Sequence, residues 1–397
     1  MNRTLGEVCL SITDCPHESP IWQKSGIPVV RNFNLINGRI DFSDGYYVDE
    51  ETYSKRTKRA VPEPGDIIFS REAPIGNCAI VPKGLRCCLG QRLVLLKVNH
   101  DVCSSEYLLT VLMSDYVKQQ IDKVSRKGSI VSNFNIGDLQ NLEIPILESA
   151  ETIADIDTKI RCRIENNNSI SSILESLAKT IYDYWFVQFN FPDENGKPYK
   201  SFGGKMVWNE DLKREIPEGW EVMRIGDVIS TERGISYSTP NIQSGAGVPM
   251  LNLATFKPGE GDYKADGLKH FLGDYPKNKV LKPYELIMCN TQQTAIKFET
   301  DIIGRAMLVP DIFDGDVVSS HHVNVIRTEN DDLKYYLLYL FNSDYYHKYI
   351  SGFTNGTNIL GLSFNGVEDY RTEIAEPRVL NEFGKIILEI ETLFSKN

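Results

Sequence analysis

Several residue pairs in the sequence have the types that catalytic sites use, but none has a spacing typical of catalysis. A carboxylate is followed by a lysine at Asp157 and Lys159 and at Asp211 and Lys213, which is part of a nuclease pattern. Neither pair has the strand context of a nuclease, so we interpret both as solvated surface charges. The sequence also has no GxxxxGK[ST] phosphate loop, no HExxH and no GxSxG motif. It therefore predicts no catalytic residue, no metal site and no cofactor bound by the chain itself.

The cysteines and the paired histidines are the remaining candidates for reactive groups. The eight cysteines show no CxxC spacing, which predicts reduced and mostly buried thiols. His321 and His322 are adjacent after an apolar run, so we expect them on opposite faces, one buried and one exposed. The exposed histidine could contact a base edge or a phosphate.

Polar side chains that read DNA bases, above all Arg, Lys, Asn and Gln, are concentrated in loops of two parts of the chain. In the first part we predict DNA contacts by Lys55, Arg56, Lys58, Arg59, Arg71, Gln91, Arg92, Arg126, Lys127, Ser129 and Asn133. In the second part we predict them for Gln292, Gln293, Lys297, Arg305, His322, Asn355, Thr357 and Asn358. The net charge of -11 opposes tight DNA binding by the chain alone, which indicates that partners assist.

The two parts are copies of one unit. Five blocks recur in the same order about 225 residues apart, among them "GIPVVRNFN" from Gly26 and "GVPMLNLAT" from Gly247. Another pair is "SDYVKQQI" from Ser114 and "SDYYHKYI" from Ser343. The period is far longer than that of a solenoid, so the repeat is a whole domain plus a connector.

Within each copy, short apolar runs such as "DIIFS", "CAIVP" and "RLVLLKV" predict strands. Each copy then has one predicted amphipathic helix, over residues 104–124 and 331–350. The fold class is therefore α+β, with two tandem β-rich units.

Long helices follow both copies. Apolar residues at steps of three and four give a heptad seam in the central helix, interrupted by polar residues at Arg163 and Asn167. The seam residues are Ile153, Ile156, Ile160, Ile170, Leu174, Leu177, Ile181 and Tyr184. A polar seam residue such as Asn167 either fixes the register of the helix pair or marks a local frayed kink. A second stripe near the C-terminus contains Leu380, Phe383, Ile387, Ile390 and Phe394. This second helix is about half as long, so part of the first seam is expected to be exposed and to meet a partner.

The block "GDIIFSREAPIGNCAIVP", the run "GSIVSNFNIGDLQNLEIPIL" before the long helix, "YDYWFVQFNFP" after it and "IPEGWEVMRIGDV" resemble the specificity subunits of type I restriction-modification enzymes. The resemblance implies target-recognition domains at 1–148 and 220–378, a central spacer helix at 149–190, a connector at 191–219 and a shortened C-terminal spacer helix at 379–397. The two helices would pack as an antiparallel coiled coil.

The resemblance also implies a function without an active site. Each domain would read one half of an asymmetric bipartite target in double-stranded DNA, with half-sites about one helical turn, roughly 34 Å, apart. Two modification subunits would bind the helices and methylate adenine with S-adenosylmethionine, and restriction subunits that use ATP and Mg would join through them.

Alternatives remain from other classes of protein. One is a solitary DNA-binding protein of the same fold that acts as a regulator or decoy. A nuclease or methyltransferase in its own right is disfavoured because no N-P-P-[FY] motif is present. A purely structural interaction protein and self-association through the exposed seam are also open.

No run approaches the roughly 18 apolar residues of a membrane span, and the N-terminus lacks a signal peptide, so we expect a cytoplasmic protein that does not bind membranes.

Overall fold

The computed structural model describes residues 2–43, 45–72, 74–125, 134–243, 245–293 and 300–395. The chain divides into two compact units, residues 1–167 and 168–397, and the long helix α6 begins in the first and ends in the second. The boundaries of the recognition domains given above remain a prediction.

The first unit is a β-rich core with short helices. Its strands are β1 (Asn2–Thr4), β2 (Cys9–Asp14), β3 (Ile27–Val30), β4 (Leu35–Ile36), β5 (Arg39–Ile40), β6 (Tyr47–Val48), β7 (Ile67–Ser70), β8 (Cys78–Ile80), β9 (Cys88–Leu89), β10 (Leu93–Val98) and β11 (Glu143–Pro145). Its helices are α1 (Leu5–Val8), α2 (Glu50–Arg56), α3 (Ser105–Met113), α4 (Asp115–Ser125) and α5 (Ile136–Gln140), followed by the start of α6 (Ala150–Tyr182).

The second unit contains the end of α6, a π-helical turn at Asp183–Val187 and a second β-rich core. Its strands are β12 (Met206–Asn209), β13 (Arg214–Pro217), β14 (Glu221–Arg224), β15 (Ile229–Arg233), β16 (Ile242–Gln243), β17 (Val248–Leu251), β18 (Lys269–Phe271), β19 (Leu286–Cys289), β20 (Thr291–Gln293), β21 (Ala306–Leu308), β22 (Val318–Ser319), β23 (Val323–Thr328), β24 (Thr354–Asn355), β25 (Ile359–Leu362) and β26 (Arg371–Ile374). Its further helices are α7 (Leu333–Asn342), α8 (Asp344–Ile350), α9 (Asn365–Asp369) and α10 (Pro377–Phe394).

Both units contain the same central antiparallel sheet, as a duplicated domain predicts. The strand order is β2-β10-β7-β8 in the first unit and β15-β23-β19-β21 in the second. In each unit the strand just ahead of the central sheet also pairs with the strand that precedes the following long helix: β1 pairs with β11, and β14 pairs with β26.

The central sheets are apolar on both faces because they lie between two cores. In β10, Val94 and Leu96 pack with the α3 side chains, whereas Leu93 and Leu95 face a second core with Val30 and Leu35. This alternation follows from the two-residue period of a strand. It explains why the sequence shows continuous apolar runs here rather than alternating ones.

The single helix predicted after each sheet is wrong in both units, because a serine divides it in two. Ser114 and Ser343 are extended, with ψ of 154° and 145°. Ser343 Oγ accepts a hydrogen bond from the Tyr346 backbone N–H at 3.2 Å and so caps α8. Serine is a strong N-cap residue, and this local preference outweighs the apolar periodicity.

The seam of α6 departs from the predicted one near its C-terminal end. Ala178 and Tyr182 are buried, whereas Leu177 is 47% exposed and Tyr184 is 37% exposed. The buried stripe continues at helical spacing from Ala178 and Tyr182 to Trp185 and Phe186, which lie in the π-helical turn.

Candidate nucleic-acid interface

In the first unit a parallel strand pair brings two polar loops together. Strands β3 and β9 pair with Val29 opposite Cys88 and Val30 opposite Leu89. The chain leaves these strands at Arg31 and at Gly90, and the Gly90 N–H donates to the Val30 carbonyl at 2.7 Å. A Cβ on Gly90 would lie 3.1 Å from Arg31 Cγ and 2.9 Å from the Val30 oxygen. The absence of a side chain on Gly90 therefore allows Arg31 to lie beside Gln91 and Arg92.

Arg31 is held by three aromatic rings. Its guanidinium carbon lies 5.6 Å from the centroid of Trp22, 4.7 Å from Phe33 and 4.5 Å from Tyr46. The backbone is fixed as well, because buried Asn34 accepts the Arg31 N–H at 2.9 Å and donates to the Asp41 carbonyl at 2.6 Å. Such cation–π contacts restrict the guanidinium without neutralising its charge.

Gln91 and Arg92, both predicted DNA contacts, line a cleft of about 220 Å³ together with Trp22, Arg31 and Asn32. The Gln91 amide donates to the His17 carbonyl and, at 3.2 Å, to Ser19. Arg92 is exposed, and its Nε lies 3.1 Å from the Glu72 carboxylate. The cleft thus combines two arginines with neutral polar groups.

The second unit repeats this arrangement with other side chains. Strands β17 and β22 are parallel, with Leu251 opposite Ser319, and the Ser320 N–H donates to the Leu251 carbonyl at 2.8 Å. Asn252 takes the place of Arg31 but is 2% exposed, and its side chain bonds to Ala254, Met250 and Gly267.

His321 and His322 follow this second strand pair, at the place of Gln91 and Arg92. Their ring centroids are 3.9 Å apart and both are half-buried, so the expectation of opposite faces is wrong. The reason is that the two residues form a turn rather than a strand. Burial lowers the pKa of His322, and nearby His321, Arg233 and Lys269 lower it further.

Four of the predicted DNA contacts are buried and bonded inside the protein. Arg56 donates to the carbonyls of Leu89, Glu18 and Pro16 at 2.9, 2.8 and 3.2 Å. Arg71 lies 3.3 Å from Asp14, Gln292 bonds to Asp301 at 2.9 Å, and Arg305 donates to the Asn342 carbonyl. Their burial and these contacts favour a structural role, although the Nε atoms of Arg71 and Arg305 are buried without a hydrogen-bond partner among the described residues.

The other predicted contacts differ in exposure. Lys55 is exposed and pairs with Glu51 at 2.7 Å, and Lys58 and Arg59 follow it on the surface. Gln293, Asn355, Thr357 and Asn358 are exposed in or next to the sheet β20-β25-β24. Arg126, Lys127, Ser129, Asn133 and Lys297 lie outside the described residues. All of these roles remain predictions.

The helix residues predicted to meet partners also divide. Leu380, Phe383, Ile387 and Ile390 of α10 are buried, and Phe394 is half-buried. Phe383 packs edge to face on Phe186 at 4.9 Å and lies 5.9 Å from Trp185. On α6, Ile153, Asn167, Leu174 and Ile181 are half-buried. About half of each side chain is exposed at Ile156, Ile160, Ile170 and Leu177.

One acidic group among the described residues has the spacing of metal ligands, Glu175, Glu260 and Asp262. The Lys257 ammonium lies 3.2 Å from Glu175 and 3.8 Å from each of the other two. Lysine is therefore the counter-ion of this group. Burial, together with the nearby Glu175 carboxylate, raises the pKa of Asp262 to about 6, although the Lys257 ammonium opposes this shift.

The cysteines follow the sequence expectation: all eight are free and seven are buried. Burial raises the pKa of Cys87 to about 12 and that of Cys88 to about 11, so neither is a reactive thiolate at neutral pH.

Comparison with known proteins identifies the class to which this fold belongs, with its two parallel strand pairs that end in polar residues. The family model described as the type I restriction modification DNA specificity domain matches residues 1–179 and 217–378. The chain therefore belongs to the family of type I restriction-modification DNA specificity subunits. It is the DNA specificity component and the non-catalytic part of such a system, as the resemblance implied.

Individual relatives agree with this membership. The type I restriction enzyme MjaIX specificity subunit of Methanocaldococcus jannaschii is 25% identical over 354 residues, which cover 88% of this chain and 75% of the relative. A putative type I restriction enzyme MjaX specificity subunit of the same organism is 27% identical over 237 residues, which cover 57% of this chain and 53% of the relative.

A solved structure shares the fold. The crystal structure of a type I restriction-modification S subunit from M. genitalium superposes with a TM-score of 0.61 at 13% identity, covering all of this chain and 90% of that one. Among the residues that the structure describes, no helix is long and apolar enough to span a membrane.

Proposed function

We propose that each unit reads one half of an asymmetric bipartite target in double-stranded DNA. The observation that carries this proposal is the parallel strand pair that recurs in both units with different side chains at its end. The end of the strand pair in the first unit, here called the first edge, carries Arg31, Gln91 and Arg92. The corresponding end of the strand pair in the second unit, the second edge, carries Asn252, His321 and His322. One scaffold with two different sets of donors and acceptors would select two different half-sites.

Both edges carry cationic side chains that suit DNA, although the whole chain is acidic. Arg31 and Arg92 lie at the first edge, and Arg233 and Lys269 lie close enough to His322 to lower its pKa. Local positive charge attracts the phosphate backbone, whereas base-edge contacts supply the sequence preference.

The long helices would set the spacing of the half-sites and dock two modification subunits. Phe383 of α10 packs on Phe186. Glu391 lies two turns further along α10, and it interacts electrostatically with Glu175, which lies eleven residues before Phe186. This order supports an antiparallel pair. The apolar residues that remain exposed on α6 would provide the docking surface.

The chemistry would lie on the partners. The modification subunits would bind S-adenosylmethionine and methylate adenine, and the restriction subunits, recruited through them, would use ATP and Mg. This chain would contribute the choice of DNA sequence and the assembly platform.

The test is to co-express the chain with its modification subunits and to map adenine methylation across the host genome at single-base resolution. We expect one split, asymmetric motif. Exchange of residues 1–148 for another such domain should change one half only, and exchange of residues 220–378 should change the other half. A motif that is unsplit, or that changes in both halves after either exchange, would contradict the proposal. If no complex forms but the chain binds DNA sequence-specifically, the hypothesis of a solitary DNA-binding protein replaces this proposal.

A further inference from the structure

The first edge contains an arginine whose surroundings differ from those of its neighbours. We infer that Arg31 is a specificity-determining side chain of the first unit and that it recognises a guanine in the half-site which that unit reads. This inference rests on the proposed function, since it names a residue and a base within that half-site.

The first argument is that Arg31 is pre-positioned. Three rings surround its guanidinium at 4.5 to 5.6 Å, and the adjoining turn is fixed through buried Asn34. The arginine follows directly after the buried strand β3, so its Cα is anchored in the core of the unit. An arginine that is already ordered loses little conformational entropy when it binds.

The second argument is that, in the part of the chain that the structure describes, no carboxylate lies within ion-pair distance of the Arg31 guanidinium. Other arginines of the unit are engaged: Arg86 bonds to both Glu50 oxygens at 2.6 and 2.7 Å, and Arg71 pairs with Asp14. The rings therefore orient a charged group and leave its donors for a ligand.

The third argument is the exposure of the rings. Trp22 and Phe33 are 40% and 39% exposed and both rings pack against Tyr46, so they form one partly exposed aromatic cluster. Exposed apolar surface next to a cation indicates an interaction site. Because Arg31, Asn32, Gln91 and Arg92 line one cleft, the occupant must offer acceptors and negative charge.

DNA meets these requirements, and guanine is the base that suits Arg31 best. Its O6 and N7 atoms are two adjacent acceptors in the major groove, and a guanidinium can donate to both in parallel. A lysine carries the same charge but has no planar fork for this pattern. The second unit has buried Asn252 at the corresponding place, so this recognition is specific to the first half-site.

The experiment compares R31A and R31K with the parent chain, each co-expressed with the modification subunits. Genomic adenine methylation is mapped for each complex. Affinity is then measured for a duplex that carries the mapped target and for an unrelated duplex of equal length. The exchange of residues 1–148 identifies which half of the motif belongs to the first unit.

We expect R31A to lower the affinity for the target duplex about 10- to 100-fold and to change the affinity for the unrelated duplex by less than about threefold. The methylated motif should become degenerate at one G·C pair, in the half read by the first unit. R31K should resemble R31A, because the ammonium keeps the charge but loses the paired donors.

The matched control is R86A. Arg86 also stacks on a ring of the same unit, 4.4 Å above Tyr53, but its guanidinium is neutralised by Glu50. R86A should leave the motif unchanged. Thermal unfolding of each variant identifies any loss of affinity that results from misfolding.

Two results would overturn the inference and leave the proposed function intact. In the first, the parent methylates a split motif and folded R31A methylates the same motif with the same affinity. In the second, R31A weakens binding to both duplexes equally, or R31K binds and methylates like the parent. Either outcome would show that Arg31 contacts a phosphate and not a base. If the parent itself shows no sequence preference, the proposed function fails first.

Discussion

At the scale of single residues, arginines that look alike in the sequence occupy different environments. Arg56 lies in the cationic run "SKRTKR" and is 7% exposed, with three backbone carbonyls as acceptors. Arg31 is the only charged residue of the block "GIPVVRNFN" and is held by aromatic rings. Sequence composition favoured the cationic run, whereas the structure favours the isolated arginine as a DNA contact.

Replacement of Arg56 by alanine should destabilise the first unit. The change leaves the buried Leu89 carbonyl and the part-buried carbonyls of Glu18 and Pro16 without this donor, so we expect the free energy of unfolding to fall by about 1 to 3 kcal/mol. Chemical denaturation followed by circular dichroism measures this loss. The neighbouring variant K55A is the control and should change stability little, because Lys55 and Glu51 are both exposed. Unchanged stability of R56A with lost DNA binding would instead make Arg56 a surface contact.

At the scale of elements, the packing of α10 against the end of α6 combines an aromatic core with a charged rim. Tyr182, Trp185 and Phe186 surround Phe383. Beyond them, burial and, to a smaller extent, the nearby carboxylates of Asp262 and Glu175 together raise the pKa of Glu391 to about 8. The helix pair therefore carries a carboxyl group that is protonated in the folded protein at neutral pH.

This carboxyl group makes stability depend on pH. Its pKa is about 4.3 in the unfolded chain and about 8 in the folded one, so its contribution is fully present below pH 4.3 and is lost as pH rises through 8. We expect E391Q to be more stable than the parent by about 1 kcal/mol at pH 5 and by about 5 kcal/mol at pH 9. Urea titrations at both pH values measure the difference.

The control for this prediction is E389Q on the same helix, where the side chain is exposed. E389Q should follow the parent at both pH values. If E391Q also gave the same difference at pH 5 as at pH 9, the effect would come from packing and not from the charge of Glu391.

The exposed apolar face of α6 gives a second prediction at this scale. Ile173 is 66% exposed, and Ile170 and Leu177 lie near it on the same helix. I173E should abolish co-purification with the modification subunits while the fold is retained, because a charge in an apolar interface is costly. S172E, an exposed polar neighbour, is the control. If I173E altered the oligomeric state of the chain alone and left co-purification intact, a second copy would be the occupant of this face.

At the scale of the whole molecule, the chain is acidic, and the cationic groups proposed to meet DNA lie at two small sites. The net charge is -11, and the cations at the two proposed edges are few. Non-specific DNA affinity depends on the number of phosphates that are neutralised. The isolated chain should therefore make few such contacts.

We expect the complex with modification subunits to bind a DNA duplex more tightly than the chain alone and with a steeper salt dependence. Each added phosphate contact increases the slope of log K against log salt concentration by about 0.9. Fluorescence anisotropy between about 50 and 200 mM salt measures both slopes. Equal slopes for the chain and the complex would show that the partners add no phosphate contacts.

Much of the architecture of this protein could be predicted from its amino-acid sequence. Repeated blocks such as "GIPVVRNFN" and "GVPMLNLAT" predicted two similar units, and the family comparison finds two matching regions. Apolar runs located the central strands, because a sheet covered on both faces requires continuous apolar residues. The heptad pattern located both long helices to within a few residues. These features depend on local periodicity, which a single sequence displays directly.

The tertiary structure decided which polar residues meet. Arg31 and Arg92 are 61 positions apart and lie at one edge only because β3 pairs with β9 in parallel. Burial of Arg56 and Gln292 likewise depends on distant carbonyls and on the loop at Asp301. The π-helical turn that exposes Tyr184 has no periodic signature. Contacts between distant segments depend on the packing of the whole unit, so composition and spacing alone could not identify them.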